Sequence, residues 1–171
     1  LGLRPLAVHF DNGWNSELAV ANIEKTLKTL HIDLTTYVVD WPEFRDLQLS
    51  FLKASTPDGE VPTDHAIAAL LYRTAVEHGL KHVLLGVNVN SEAVMPLTWG
   101  YGYADFRYIA AVQQQFGKLR LKTFPHYTLP QLARYMFFNR IEFVPILDYV
   151  DYQKSAAMKT IQDGLGWVYY G

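Results

Sequence analysis

The chain has 171 residues, half of them hydrophobic and 14% aromatic, with no cysteine and a formal net charge of -2 at pH 7. That is enough apolar material for one domain with a sizeable core, and it excludes a chain that is disordered throughout. It also excludes disulfides, thiolate metal sites and cysteine nucleophiles, and gives no reason to expect nucleic acid or an anionic membrane as a partner.

No apolar run approaches the ~20 residues that span a bilayer, so no membrane insertion is expected. The first residues carry no signal-peptide pattern. The lack of cysteine fits a reducing compartment, and the expected location is cytoplasmic. The start at Leu1, without Met, reads as an internal piece of a longer protein.

Residues 6–10 predict the first strand, with Val8 and Phe10 on one face and His9 on the other. The run stops abruptly at the turn signal Asp11-Asn12-Gly13, and a helix follows from a cap at Asn15 or Ser16. Val20, Ile23, Leu27 and Leu30 recur at helical spacing and predict its buried stripe. Residues 34–39 are rich in β-branched and aromatic types and predict a second strand. Asp40-Trp41-Pro42 opens another helix, which lines up Phe44, Leu47 and Phe51 on one side.

After a polar loop at residues 55–59, a long helix is predicted from a cap at Thr63 to about His78, stopped by Gly79. Its inward residues are Ile67, Leu70, Leu71 and Thr74, and Ala66, Ala68, Ala69 and Ala75 allow close approach to a sheet. Residues 82–86 predict a buried strand. Beyond residue 95 the pattern gives helices over 105–116, 129–138 (opened by Pro130) and 152–165 (through Ala156, Ile161 and Leu165). A short strand falls at 141–144, and the apolar end at 166–171 is expected to dock.

This β-α-β-α alternation predicts an α/β fold: a doubly wound, mostly parallel sheet with helices on both faces. One domain covers residues 1–171, with a core over about 1–95 and a helical, aromatic part over about 96–171.

Ligands of open α/β sheets bind at the carboxyl ends of strands. Two such ends are polar here, Asp11-Asn12-Gly13 and Gly86-Val87-Asn88, with Ser91 and Glu92 just after the second. On neighbouring strands they would frame one crevice suited to a nucleotide, with backbone amides holding its anionic part. Arg73 is the best phosphate-side cation, or else a solvated helix charge. Glu92 closes the crevice or complements a helix dipole. His9 touches ligand or caps packing, and Asp64-His65 is an acid/base pair or a dipole-compensating Asp beside a His. Trp99, Tyr101 and Tyr103 offer faces to a sugar ring or form a packing patch. The six histidines show no helical metal pair.

Val8-His9-Phe10-Asp11-Asn12-Gly13 followed by Glu17 resembles the second-strand motif of the PP-loop ATP pyrophosphatases. Leu84-Leu85-Gly86-Val87-Asn88-Val89-Asn90-Ser91-Glu92 resembles their later strand-end motif. Within that superfamily the chain is most similar to the N-acetyl sugar amidotransferases. The likeness includes Thr36-Tyr37-Val38-Val39-Asp40-Trp41, Pro62-Thr63-Asp64-His65, Trp99-Gly100-Tyr101-Gly102 and Gly166-Trp167-Val168-Tyr169-Tyr170-Gly171, and runs over nearly the whole chain.

The resemblance implies a Rossmann-like fold of the adenine nucleotide alpha hydrolase type. It implies an enzyme that activates an acetamido sugar as an adenylate with ATP and its Mg²⁺, releasing pyrophosphate. Ammonia from a separate glutaminase subunit then replaces the oxygen, in synthesis of bacterial surface polysaccharide such as lipopolysaccharide O-antigen. The Phe10 backbone would face adenine, and Asp11, Asn12 and Gly13 would border the adenosine. Gly86, Asn88 and Glu92 would close the crevice, with Arg73 toward the phosphates and Trp99, Tyr101 and Tyr103 on the sugar. No catalytic acid or base is assigned. The alternatives are another PP-loop chemistry, such as tRNA thiolation, and a non-catalytic nucleotide-binding or assembly module.

The superfamily's Ser-Gly-Gly-x-Asp-Ser phosphate loop does not occur in the chain. Its expected place is upstream of Leu1, so this piece alone is expected to bind ATP poorly. In such folds the first strand lies between the second, here the Leu6 strand, and the fourth, here the His82 strand. Its absence would leave two inner edges unpaired, which is costly. A strand from another piece, a rearranged edge or a homodimer would relieve this, the last two being the favoured expectation.

Overall fold

The computed structural model of the chain describes residues 2–87 and 102–169. The fold is mixed α/β, with four strands and six α-helices among the described residues. β1 (Leu6–Asp11) pairs in parallel with β2 (Asp33–Val38), from Leu6 beside Asp33 to Asp11 beside Val38. α1 (Glu17–Leu30) makes the crossover between them. β3 (His82–Leu85) pairs in parallel with β4 (Glu142–Pro145).

The two ladders are separate two-stranded sheets, and β1 does not pair with β3. Among the described residues each of these strands therefore has a neighbour on one side only. Between them lies a cleft of about 650 Å³. The first three residues of each strand line it, Leu6, Ala7 and Val8 from β1 and His82, Val83 and Leu84 from β3, with Leu71, Thr74 and Ala75 of α3 (Val61–Glu77) beside them.

Among the described residues the expected rearranged edge is thus not found. Nor is β3 a buried strand, since Leu84 is 57% exposed. A parallel strand is covered on both faces only when it lies inside a sheet with helices packed above and below.

α2 (Trp41–Lys53) starts as its sequence dictates. The Asp40 carboxylate accepts the Glu43 N–H at 3.0 Å, and Pro42 sits in the first turn. Phe44, Leu47 and Phe51 are buried as predicted. They pack with Ile109 and Val112 of α4 (Phe106–Phe116) and with Phe124.

A second core joins Ala68, Ala69, Tyr72 and Ala75 of α3 to Tyr127 and Ile141. The Tyr72 ring stacks on Tyr135 at 5.0 Å and on Phe143 at 4.6 Å. Val61 and Ala66 of α3 belong to the first core, so this one helix ties both cores together. It begins at Val61, ahead of the expected cap at Thr63, because Pro62 is suited to a first turn. Ile67 is exposed, not inward; the face is filled by alanines, His65 and Tyr72.

The remaining elements follow α4. α5 (Leu129–Ala133) opens with a Thr128–Gln131 capping box and runs on as a π-turn over Arg134–Phe138. After β4 come a 3₁₀ turn at Ile146–Tyr149 and α6 (Lys154–Leu165). In α6 Ala156 is exposed, while Ile161 and Leu165 are half-buried as predicted. No helix among the described residues is long and apolar enough to cross a membrane.

On α1 the expected stripe is only half realised: Val20 and Leu30 are exposed, and the buried residue is Asn22. The reason is polar. The Asn22 amide donates to the Val168 carbonyl at 2.8 Å and accepts the Val168 N–H at 3.0 Å. Lys25 donates to the Gly166 carbonyl at 2.9 Å. The C-terminal segment docks, as expected, but through backbone hydrogen bonds as well as apolar contact.

Two α2 carboxylates one turn apart hold the loop after α4. Buried Glu43 accepts the N–H groups of Lys122 at 3.0 Å, Thr123 at 3.0 Å and Phe124 at 2.8 Å. Asp46 accepts those of Lys118 at 2.7 Å and Leu119 at 2.8 Å, and the Gln113 side-chain amide at 2.7 Å. Partial burial raises the Asp46 pKa, but these donors outweigh it and hold the group below its usual value.

Removing the Glu43 carboxylate strands three backbone donors, each costing on the order of 1–3 kcal/mol. Glu43→Ala should therefore lower unfolding free energy in urea by about 3 kcal/mol or more. Glu24→Ala, which breaks an exposed α1 ion pair with Lys28, should cost under about 1 kcal/mol. Equal losses in the two variants would contradict the anchoring role of Glu43.

Candidate functional site

β1 ends in a turn whose backbone donors are taken by its own side chains. Asp11 accepts the Gly13 N–H at 3.0 Å and Asn12 accepts the Trp14 N–H at 3.2 Å, the local pattern that makes Asx residues turn formers. Gly13 has φ +79, in the left-handed region, and a Cβ there would meet the Trp41 ring at 3.2 Å. The conformation favours glycine, and the space under the Trp41 ring is tight for any side chain. Asn15 reaches back, its amide nitrogen 3.4 Å from Asp11 Oδ1 and 3.3 Å from His9 Nε2. Ser16 then caps α1 by accepting the Ala19 N–H at 3.2 Å.

The Phe10 ring points away from this turn. It stacks on Tyr37 at 6.3 Å and meets Phe44 edge-on at 5.7 Å. Only its backbone is at the strand end. His9, on the opposite side, is half-buried and tied to Asn15.

A second group forms where the first turn of α3 meets the residues before α4. His65 is fully buried, stacked on Tyr127 at 4.4 Å, Phe106 at 5.8 Å and Phe124 at 6.2 Å. Its Nε2 accepts the Tyr127 N–H at 3.3 Å, which requires the Nδ1–H tautomer, donating to the Tyr103 carbonyl at 2.6 Å. Burial holds the ring below its usual pKa. With both nitrogens spent and no charge, His65 is a structural residue and not half of an acid/base pair.

The Asp64 pKa is pushed up to about 6, first by partial desolvation and then by the Asp58 and Glu60 carboxylates. Burial, with Asp64 nearby, also raises the Tyr103 hydroxyl.

The predicted residues that the structure describes fall in four separate places. Phe10, Asp11, Asn12 and Gly13 lie together at the end of β1. Gly86 follows β3, exposed, with nothing within 4 Å of a would-be Cβ. Arg73 is exposed on α3 beside Thr74 and Ala75, which face the first residues of β1 and β3. That is the opposite end of the strands from Asp11 and Gly86, so the structure does not bring Arg73 to the crevice. Tyr103 is with His65. Asn88, Glu92, Trp99 and Tyr101 lie outside the described residues.

Two residues at the strand end escaped prediction, Trp14 and Trp41. Their signal was an aromatic beside each strand-end turn. Among the described residues no cluster of His, Asp and Glu could hold a metal ion. No family model matches the chain, and neither a curated protein nor a solved structure matches it.

The two shifted α3 groups act on stability in opposite senses. The unfolded chain protonates His65 near its ordinary pKa of 6.5 and the folded chain resists, so acid destabilises below that value. The protonated Asp64 is favoured by the fold, so its contribution is complete below about pH 4 and lost as pH rises through about 6. Asp64 keeps an exposed side, and water screens its effect. In His65→Phe the fall in stability from about pH 7 to about pH 5 should shrink. NMR titration should give Asp64 a pKa of about 6, lowered by Glu60→Gln; an ordinary carboxylate value would contradict this.

Proposed function

We propose that the chain is the nucleotide-binding core of an ATP-dependent amidotransferase acting on an acetamido sugar. The reading follows the resemblance to the PP-loop ATP pyrophosphatases, and with it a finer fold of the doubly wound type. The observation that carries it is the Asp11-Asn12-Gly13 turn at the carboxyl end of two paired parallel strands, where such folds take their ligands.

Asp11 spends one carboxylate oxygen on the Gly13 N–H and Asn15, leaving the other for a ribose hydroxyl. The Phe10 backbone and Gly86 border the base and the far wall. The described residues offer no phosphate cradle, and none is assigned to them.

In the reaction the acetamido oxygen attacks the α-phosphorus of ATP as the bond to pyrophosphate breaks. Ammonia adds to the activated carbon, and AMP leaves with the oxygen, giving an acetamidino group. Mg²⁺ accompanies the ATP phosphates, and a separate glutaminase is the ammonia source. The proposed setting is cytoplasmic synthesis of surface polysaccharide.

The test uses the natural polypeptide with ATP, Mg²⁺, ammonium and UDP-linked N-acetyl sugars. Pyrophosphate release should depend on the sugar and match AMP formation. Asp11→Ala should lower kcat/KM at least about tenfold, the cost of about 1.4 kcal/mol of lost binding. ATP binding without pyrophosphate release on any acetamido sugar would favour a non-catalytic nucleotide-binding module instead.

A further inference from the structure

We propose that Trp14 and Trp41 form a stacking corner that receives the pyranose ring of a sugar ligand. The sugar's identity as an acetamido substrate rests on the function proposed above; the corner rests on its own geometry.

Tryptophan is usually largely buried, yet Trp14 is 70% exposed and Trp41 is 43% exposed. Their ring centroids are 6.2 Å apart at an interplanar angle of 75°. Trp41 is fixed from below by the first turn of α2, which Asp40 caps, and its ring lies on the bare Cα of Gly13. Trp14 is placed by the Asn12 side chain, which accepts its backbone N–H. Two adjacent strand ends thus bring two rings together before any ligand arrives.

The angle between them selects the ligand. A flat base stacks best in a slot between parallel faces. Two nearly perpendicular rings make a corner, which touches a thick, chair-shaped ring on one face and one edge. The C–H groups of a pyranose are electropositive and suit the negative face of an indole.

The polar groups at the turn fit hydroxyls, which both donate and accept. The Asn12 side-chain N–H₂ and the Asn15 side-chain carbonyl have no partner among the described residues. The corner lies next to Asp11, so a sugar there would sit beside the proposed adenosine wall, where the reaction needs it.

The test follows intrinsic tryptophan fluorescence and titration calorimetry on the natural polypeptide, with a UDP-linked N-acetylhexosamine, UDP alone and ATP as separate probes. The sugar nucleotide should quench fluorescence, and the quench should persist in Trp167→Phe. Trp14→Ala should weaken its binding about tenfold while ATP affinity stays within about twofold, and Trp41→Ala should weaken it by a similar factor. Trp14 is so exposed that its loss should leave the fold intact, which circular dichroism checks.

Quenching by ATP with loss of ATP affinity in Trp14→Ala would assign the corner to a base and overturn the proposal. Sugar affinity unchanged in both variants would overturn it too, even if pyrophosphate is released. A tryptophan-dependent sugar affinity without pyrophosphate release would uphold the corner and defeat the amidotransferase reading.

Discussion

Backbone N–H and C=O groups that leave water must find partners, and among the described residues that requirement is met on only one side of β1 and one side of β3. The rest of the fold is arranged around that fact. Two parallel ladders stand apart, with an apolar cleft between their inner edges. α3 joins them, lending Val61 and Ala66 to one core and Ala68, Ala69, Tyr72 and Ala75 to the other. A helix so rich in alanine can lie close to two packing surfaces at once, which larger side chains would hold apart.

The loops are secured differently from the strands. Glu43 and Asp46 use their carboxylates as acceptors for five backbone N–H groups of the segment after α4. Asn22 does the same with its amide for the chain end. His65 seals the junction of α3 with Tyr103 and Tyr127 as a neutral ring. These polar anchors leave the end of β1 resting on a stiff base: Phe10 is packed on Tyr37 and Phe44, and Gly13 under Trp41. Rigid support beneath an exposed polar turn is what positions ligand groups with little loss of freedom on binding.

Local chemistry was legible in the sequence. The Asp40 cap, the Phe44–Leu47–Phe51 face, the alanines of α3 and the turn at Gly13 all follow from short-range rules. Long-range partners were not. Glu43 has the sequence position of a capping-box residue, but its carboxylate serves amides about eighty residues later. Asn22 interrupts an apolar stripe because its partner is Val168. His65 looks like chemistry until the stacking rings appear around it. Arg73 was assigned to the crevice for its charge and because its helix lies between the two strand ends in sequence, and only the direction of α3 reveals that it lies at the other end of the strands.

The split between the two ladders is best tested by site-resolved hydrogen exchange on β1 and β3. In a parallel ladder alternate residues bond to alternate sides. The β1 amides that face β2, and the β3 amides that face β4, should be strongly protected. The alternate amides, facing the cleft, should exchange at close to free-peptide rates. Uniform protection along β1 and β3 would show that their inner edges are paired and would contradict the divided sheet.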